Sequence, residues 1–519
     1  MLYIIHFKHI HLNFRFAEFD SVLSIYNLSP NDVYTKPPQA NLRPTLMVNF
    51  PNDEVATKVT SRCVLIHRIL RFWARGKTSK LCASSLATPS SFHDSLQSLA
   101  KAAPSFSINF TTWGTRSVSL EMQNAYRADF TDVLPLNLVK VDIKSPSLPL
   151  HIIYEGQLDS TTNPNPNPNP NPTSTSTSTS TSTTPPREIF LGLEVSLGGN
   201  FEKFNLKKRN YLGPTSMDSD LSLIMCNLAR VTPGSFCFDP FVGTGSILLT
   251  CAVFGGVTMG TDIDVRVLRG KEDDKQGGKG KTSINKTFAQ FGFPRPELIR
   301  SDNSLYDRHW RTDTGGELYD AIVCDPPYGI RAGAKKCGSR KLTADGAPAA
   351  VREVAEEKRS THIAQTKNYA VSDVMADLLE VAARQLKMGG RLVYLIPTTT
   401  DFDEASDLPR HKCLEVKYCC FQGLQIELGR RMVCMEKVRA YDDNKVGEYR
   451  DFIWVNGFES ADKCANMREK LIEKNGARKK EERAEEEKSG VKLSKREKKK
   501  KRKLQQLQDD EGGGGGGGV

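Results

Sequence analysis

The run Tyr319-Asp320-Ala321-Ile322-Val323 leads into Cys324-Asp325-Pro326-Pro327-Tyr328-Gly329. Its β-branched centre reads as a strand. The two prolines, which lack amide hydrogens, forbid the strand's continuation, so Asp325 and Tyr328 hang from its carboxyl end. A carboxylate, two prolines and an aromatic ring at that place have a chemical logic. The exocyclic amine of a nucleobase is a poor nucleophile because its lone pair is delocalised into the ring. A carboxylate and a fixed carbonyl that accept its two N–H bonds make the nitrogen more pyramidal and aim the lone pair at an electrophile. Asp325 and the Pro326 carbonyl take those places, Pro327 stiffens the loop, and Tyr328 offers a stacking face worth about 1–3 kcal/mol per base. The bland alternative is a tight turn after a buried strand, with Tyr328 as core filler.

The surroundings of this strand favour chemistry. From about Tyr211 the chain alternates strand, Gly-rich turn and helix, the pattern of a doubly wound α/β sheet. Phe236-Cys237-Phe238 runs into Asp239-Pro240-Phe241-Val242-Gly243-Thr244-Gly245-Ser246, with a helix expected over Ile247 to Phe254. Val257 to Thr261 is the next strand and ends at Asp262. Leu298 to Ser301 ends at Asp302. A helix is expected over Val374 to Leu386, with Gly389-Gly390 as its stop and Arg391 to Ile396 as a fifth strand. Leu414 to Phe421 and Met432 to Val438 complete the sheet as an edge hairpin.

Ligands of such sheets lie across the carboxyl ends of the strands. Asp239, Asp262 and Asp302 stand at three successive ends, and Gly243 and Gly245 permit a close backbone approach between the first strand and its helix. Asp262 is at the spacing from the first strand at which a carboxylate meets ribose hydroxyls. A dinucleotide fingerprint needs a glycine where Leu248 stands, and a P-loop needs a lysine where Ser246 stands. S-adenosylmethionine, which carries no phosphate, suits these residues better, with Asp302 beside its base. Each aspartate taken alone is as well explained as a cap or turn residue. All three in register with Asp325 are not.

The preceding half reads as α+β. Residues 1–48 are an N-terminal lead-in with a strand at Leu2 to Phe7 and a helix at Ala17 to Tyr26. Residues 49–205 continue in that style, with strands expected at Arg62 to Ile66, Ser105 to Phe110, Val139 to Ile143 and His151 to Tyr154, and helices at Phe92 to Ala103 and Val118 to Phe130. Within them, residues 159–186 alternate Asn with Pro and then Ser with Thr. Such a segment has no apolar face to bury and is expected to be a disordered insertion, an expanded hairpin loop before the strand that resumes at Ile189. Residues 206–460 hold the doubly wound region. Its interval Ile330 to Lys367 is long enough for a lid or a substrate contact, though solvated padding serves as well.

Residues 461–519 form a charged tail. The formal charge of +11 points to nucleic acid until it is located, since Lys492 to Lys503 hold nine basic residues against Glu497 and account for most of it. That tail suits a phosphate-contacting arm, a solubilising extension or a nuclear address. Twelve cysteines without zinc-ligand spacing imply reduced thiols, no metal and a cytoplasmic setting, with a nuclear fraction if the tail is an address. No membrane span or secretory signal is expected.

Four stretches together resemble one family. Tyr211-Leu212-Gly213-Pro214-Thr215-Ser216-Met217-Asp218, Asp239 to Ser246, Thr261-Asp262-Ile263-Asp264 and Asp325 to Arg331 are similar to the catalytic subunit of eukaryotic tRNA guanine-10 N2-methyltransferases. The Asp-Pro-Pro-Tyr box is shared with other amino methyltransferases, whereas the stretch ending Gly-Pro-Thr-Ser-Met-Asp is narrower. The resemblance implies a Rossmann-like, seven-stranded class I methyltransferase sheet behind a THUMP RNA-binding domain. It assigns S-adenosylmethionine to Asp239, Gly243, Gly245, Asp262 and Asp302, and guanine to Asp325, Pro326, Pro327 and Tyr328. It further implies tRNA as substrate and a small zinc-binding activator subunit as partner. The insertion and the basic tail depart from the family core. Competing functions are an adenine-N6 or protein-glutamine methyltransferase, and a non-catalytic RNA-binding scaffold.

Overall fold

The computed structural model describes residues 1–36, 43–86, 98–99, 102–113, 118–131, 133–134, 136, 139–156, 187–213, 216–272, 281–306, 316–327, 334–338, 355–359, 365–399, 402–425 and 428–454. Tyr328, the repetitive insertion, most of the expected helix over 92–103, the basic tail and most of the interval 330–367 lie outside the described residues.

The first half builds a seven-stranded sheet from β1 (Leu2–Phe7), β2 (Thr45–Asn49), β3 (Ile66–Gly76), β4 (Ser105–Trp113), β5 (Lys140–Val141), β6 (Leu148–Glu155) and β7 (Glu188–Leu197), in the order β2-β1-β3-β7-β6-β4-β5. Its longer helices among the described residues are α1 (Arg15–Ile25), α2 (Asp53–Arg62), α3 (Ser79–Leu86) and α4 (Leu120–Thr131). β1 pairs antiparallel with both β2 and β3, so a boundary at residue 48 would cut through a continuous hydrogen-bonded sheet. β6 pairs antiparallel with β7 out to Glu155 opposite Glu188, which makes the repetitive insertion the connection of a hairpin, as its flanking strands predicted.

One expected strand is corrected. Arg62 closes α2, which is capped at its start by the Asn52 side chain accepting from the Val55 amide, and the following strand begins at Ile66. Cys63, Val64 and Leu65 are buried as a turn because the Val64 and Leu65 amides donate to the carboxylate of Glu18 on α1, which takes them out of any sheet ladder.

The second half contains α5 (Ser219–Leu228), β8 (Phe236–Asp239), α6 (Ser246–Val253), β9 (Val257–Asp262), α7 (Ile284–Gln290), β10 (Glu297–Arg300), β11 (Tyr319–Cys324), a small antiparallel pair β12 (Lys335–Cys337) and β13 (Thr366–Asn368), α8 (Val371–Gln385), β14 (Leu386–Thr399), β15 (Leu414–Gln425), β16 (Leu428–Lys437) and α9 (Val446–Phe452). The sheet order is β10-β9-β8-β11-β14-β16-β15. The first five of these run parallel, and the last two are the expected antiparallel hairpin. This is a Rossmann-like, doubly wound arrangement with an antiparallel edge hairpin, as the resemblance implies, and its topological reversal lies between β8 and β11. Ile322 and Val323 of β11 are fully buried, and each such side chain contributes about 1.5–3 kcal/mol by leaving water.

Gly389 and Gly390 do not stop α8. The helix ends at Gln385 and β14 begins at once with the buried Leu386, which sits opposite Tyr319. The glycines lie inside β14, where the pairing with β11 shifts register between Tyr319 and Ala321 and Gly389 has φ 75°. A Cβ on Gly390 would come within 3.0 Å of the Asp320 carbonyl oxygen, so the bulge needs glycine there.

The two halves share a core in which Phe14, Ala17, Val64 and Leu65 pack with Leu221, Ile224 and Leu228 of α5. The fully buried Glu18 ties the same junction together, because Asn227 donates to its Oε1 at 2.8 Å. Among the described residues, no helix is long and apolar enough to cross a membrane.

Candidate active site

Each of four adjacent parallel strands delivers one aspartate at its carboxyl end. In spatial order they are Asp302 after β10, Asp262 closing β9, Asp239 closing β8 and Asp325 after β11. For β11 the apolar, buried centre explains the placement, because a strand buried on both faces leaves a functional carboxylate room only beyond its end. Asp239 and Asp325 stand on neighbouring strands at the topological reversal, near enough that the Asp325 charge disfavours ionisation of Asp239.

Asp239 is buried, with one oxygen accepting the Phe241 amide at 2.8 Å. Its other oxygen, Oδ2, is buried without a hydrogen-bond partner among the described residues. Burial, then the Asp262 and Asp325 charges, push its pKa well above the usual carboxylate range. A buried acceptor left open at the switch point of a doubly wound sheet is what a ligand with donor groups needs.

The glycine turn after β8 is fixed by its neighbour. The Gly243 amide donates to Asp262 Oδ2 at 3.0 Å, and Asp262 Oδ1 accepts the Asp264 amide at 2.8 Å. Gly243 has φ 51° and Gly245 φ 78°, conformations that side-chain-bearing residues resist. A Cβ at Gly245 would also meet Ile284 Cγ2 at 2.7 Å, whereas at Gly243 the backbone angle alone demands glycine. Asp262 is raised chiefly by burial, with its two backbone hydrogen bonds opposing.

Asp302 is buried and caps a short turn of helix, Asn303–Leu305, with Oδ1 accepting from the Ser304 amide and hydroxyl. Its Oδ2 accepts the Cys337 amide of β12 at 2.5 Å. Asp325 and Pro327 are half-buried and Pro326 is buried.

The structure also assigns places to residues that sequence reasoning left without a role. Asn303 donates to the Pro240 carbonyl and accepts from Thr261 Oγ1 at 3.2 Å, which knits the ends of β8, β9 and β10 together. Its only sequence signal is a polar residue after a strand-end aspartate, indistinguishable from a turn. Ser216 Oγ lies 2.8 Å from Thr244 Oγ1 and accepts the Gly213 amide, while Asp218 caps α5. Ser216 thus ties Gly213 to the glycine turn through Thr244.

The chain has relatives among known proteins. A family described as the Tmrp11 THUMP N-terminal domain matches residues 1–170, and one described as an RMKL-like methyltransferase domain matches residues 207–278. The chain is 33% identical over 460 residues to the tRNA (guanine(10)-N(2))-methyltransferase TRMT11 of Dictyostelium discoideum, spanning 85% of this chain and 83% of that protein. It belongs to the tRNA (guanine(10)-N(2))-methyltransferase family. The human TRMT11 is 30% identical over 443 residues, covering 83% of this chain and 87% of the relative. The Saccharomyces cerevisiae enzyme is 30% identical over 431 residues, covering 81% and 89%. Among solved structures, TrmN from Thermus thermophilus aligns over 84% of this chain and all of its own at 17% identity and a TM-score of 0.39.

For a member of this family the methyl donor is S-adenosylmethionine, and the residues present fit it. The open Oδ2 of Asp239, the glycine turn and the Asp262 carboxylate form an acidic cradle. Such a cradle accepts hydroxyl and ammonium donors and repels a dinucleotide's phosphates.

Proposed function

We infer that this chain is an S-adenosylmethionine-dependent RNA methyltransferase that methylates the exocyclic N2 of guanosine at position 10 of tRNA, the reaction named for its relatives. The observation that carries the reading is the pairing of Asp239, with its open buried oxygen, and Asp325 at the ends of neighbouring strands β8 and β11. One side of that reversal suits a donor and the other an amine.

When bound, S-adenosylmethionine supplies an electrophilic methyl group on a positively charged sulfonium. The chain's task is then alignment. Asp239, Asp262 and Asp302, with Gly243 and Gly245, hold the donor in this proposal. Asp325 accepts one N–H of the guanine amino group, the Pro326 carbonyl accepts the other, and Tyr328 stacks on the base. Because the transferred group arrives with its own positive charge, no strong base is required. Asp325 takes the released proton late, as N–H acidity grows. The half-buried position of Asp325 lets it meet a base extruded from RNA while its neighbour Pro326 stays packed. The first half of the chain, through its THUMP match, supplies RNA binding.

A small zinc-binding activator subunit is proposed as a partner on the strength of the family resemblance. Co-expression and co-purification of the two would test it. The cytoplasm is the proposed compartment, and imaging the tagged chain with and without residues 491–503 tests whether the tail redirects it.

The deciding experiment for the function is incubation of the purified chain, with its activator, with S-adenosylmethionine and tRNA, followed by nucleoside mass analysis. N2-methylguanosine is expected. Methyladenosine, or methylation of protein alone, would overturn the reading.

A further inference from the structure

The donor side of the site is closed into a ring by residues far from it in sequence. Asp302 accepts the Cys337 amide, and Cys337 belongs to β12, which pairs with β13. Directly after β13 comes Tyr369, buried, whose amide donates to the Ala334 carbonyl at 3.0 Å and whose hydroxyl donates to Asp377 on α8. Arg450, on α9, donates through one nitrogen to both Asp377 Oδ1 at 2.8 Å and the Tyr306 hydroxyl at 3.0 Å. Tyr306, itself buried, directly follows the Asn303–Leu305 turn that Asp302 caps, which returns the ring to its start. Ala334 and Tyr369 also pack against Phe241 of the loop that follows Asp239.

We propose that Arg450 is a positioning residue for methyl-donor binding. By joining Tyr306 to Asp377, it fixes both the turn that carries Asp302 and the β12–β13 pair that bonds to Asp302. The proposal rests on the reading that Asp302 holds the donor. A helix near the end of the folded region thereby sets the donor affinity without touching the donor. The charge on Arg450 matters as a shared double donor, because a single nitrogen makes both bonds. A lysine ammonium, with three donors on one atom, can replace it in kind. Half of the Arg450 side chain is exposed, so solvent weakens the link and the effect is moderate.

The test uses the full-length chain with its activator and four variants: Arg450→Met, Arg450→Lys, Tyr306→Phe and Asp302→Ala. Affinity for S-adenosylhomocysteine is read by calorimetry, together with KM for donor and for tRNA, kcat and the thermal midpoint. Arg450→Met is expected to weaken donor binding roughly three- to tenfold and raise the donor KM alike, with tRNA KM and saturated kcat unchanged. Arg450→Lys is expected to recover most of the loss, and Tyr306→Phe to show a smaller loss in the same direction. Should Arg450→Met fail to fold, Tyr306→Phe, which removes one hydroxyl, decides. Unchanged donor affinity in the Arg450 and Tyr306 variants, beside a clear loss in Asp302→Ala, overturns the positioning role alone. Unchanged affinity in Asp302→Ala overturns the underlying assignment of Asp302 and the positioning role with it.

Discussion

The Gly243 amide donates to the Asp262 carboxylate at 3.0 Å, so the glycine turn after the first strand of the catalytic sheet is held by the residue that closes the second. Asp262 therefore shapes the turn, and under the proposed function it has a second duty, offering its remaining lone pairs to the donor's hydroxyls.

Replacing Asp262 with alanine removes both. Affinity for S-adenosylhomocysteine is expected to drop about tenfold or more, the worth of one or two hydrogen bonds to a charged acceptor. Calorimetry on the purified variant reads this directly, and an unaltered dissociation constant would remove Asp262 from the site.

Asp325→Ala separates binding from chemistry. The donor pocket keeps all its own residues, so donor affinity should stay within a few-fold of the parent. Turnover should fall on the order of 100-fold or more, as when other preorganised acceptors or donors are deleted. Single-turnover methylation of tRNA measures it, and near-parental rates would deny Asp325 its role.

Asp239 predicts a pH dependence. Burial, Asp262 and Asp325 raise its pKa in the folded chain, so it takes up a proton at a pH where an ordinary carboxylate, with a pKa of about 4, is still ionised. The charged form accepts the donor's hydroxyl and ammonium hydrogens, so affinity should rise with pH through that elevated value, and Asp239→Asn should flatten the rise. Stability carries the opposite sign. A raised folded pKa favours the protonated state, and the cost of the buried charge grows as pH climbs above the unfolded value toward the folded one. Asp239→Asn should therefore raise the thermal midpoint of the donor-free chain at neutral pH and leave it unchanged in acid. A variant less stable than the parent at neutral pH would contradict this.

Glu18 tests the junction between the halves. Its carboxylate accepts from the Val64 and Leu65 amides and from Asn227, all at 2.8 to 2.9 Å. Glu18→Ala strands the two buried amides and takes one of the two acceptors of Asn227 Nδ2, which keeps the Arg62 carbonyl, and is expected to cost about 3 kcal/mol or more. Denaturant unfolding would show it, and an unmoved midpoint would mean that the junction relaxes around the loss.

Much of the catalytic sheet was legible in the sequence because its signals are local. The apolar run before Asp325, the glycines at 243 and 245 and the strand-end aspartates each declare themselves within a few residues, and parallel topology then brings them to one edge. The strand expected from Arg62 to Ile66 is not formed: Cys63 to Ile66 is apolar enough for one, but the bonds that make a turn there come from Glu18, on another helix. Gly389 and Gly390 look like a helix stop, yet the register shift against Tyr319 that requires them exists only across the sheet. Asn303, Tyr369, Asp377 and Arg450 were silent for the same reason. Each is an ordinary polar or aromatic residue whose meaning lies in a partner many residues away.

The central claim is that guanosine at position 10 of tRNA receives a methyl group on its exocyclic nitrogen. The most direct measurement pairs a tRNA transcript carrying that guanosine with one carrying adenosine in its place, both treated with the chain, its activator and isotopically labelled S-adenosylmethionine, then digested and mapped by mass spectrometry. Label on N2 of that single guanosine, and none on the substituted transcript, is the expected result. Equal labelling of both transcripts, or label on another base, would contradict the account.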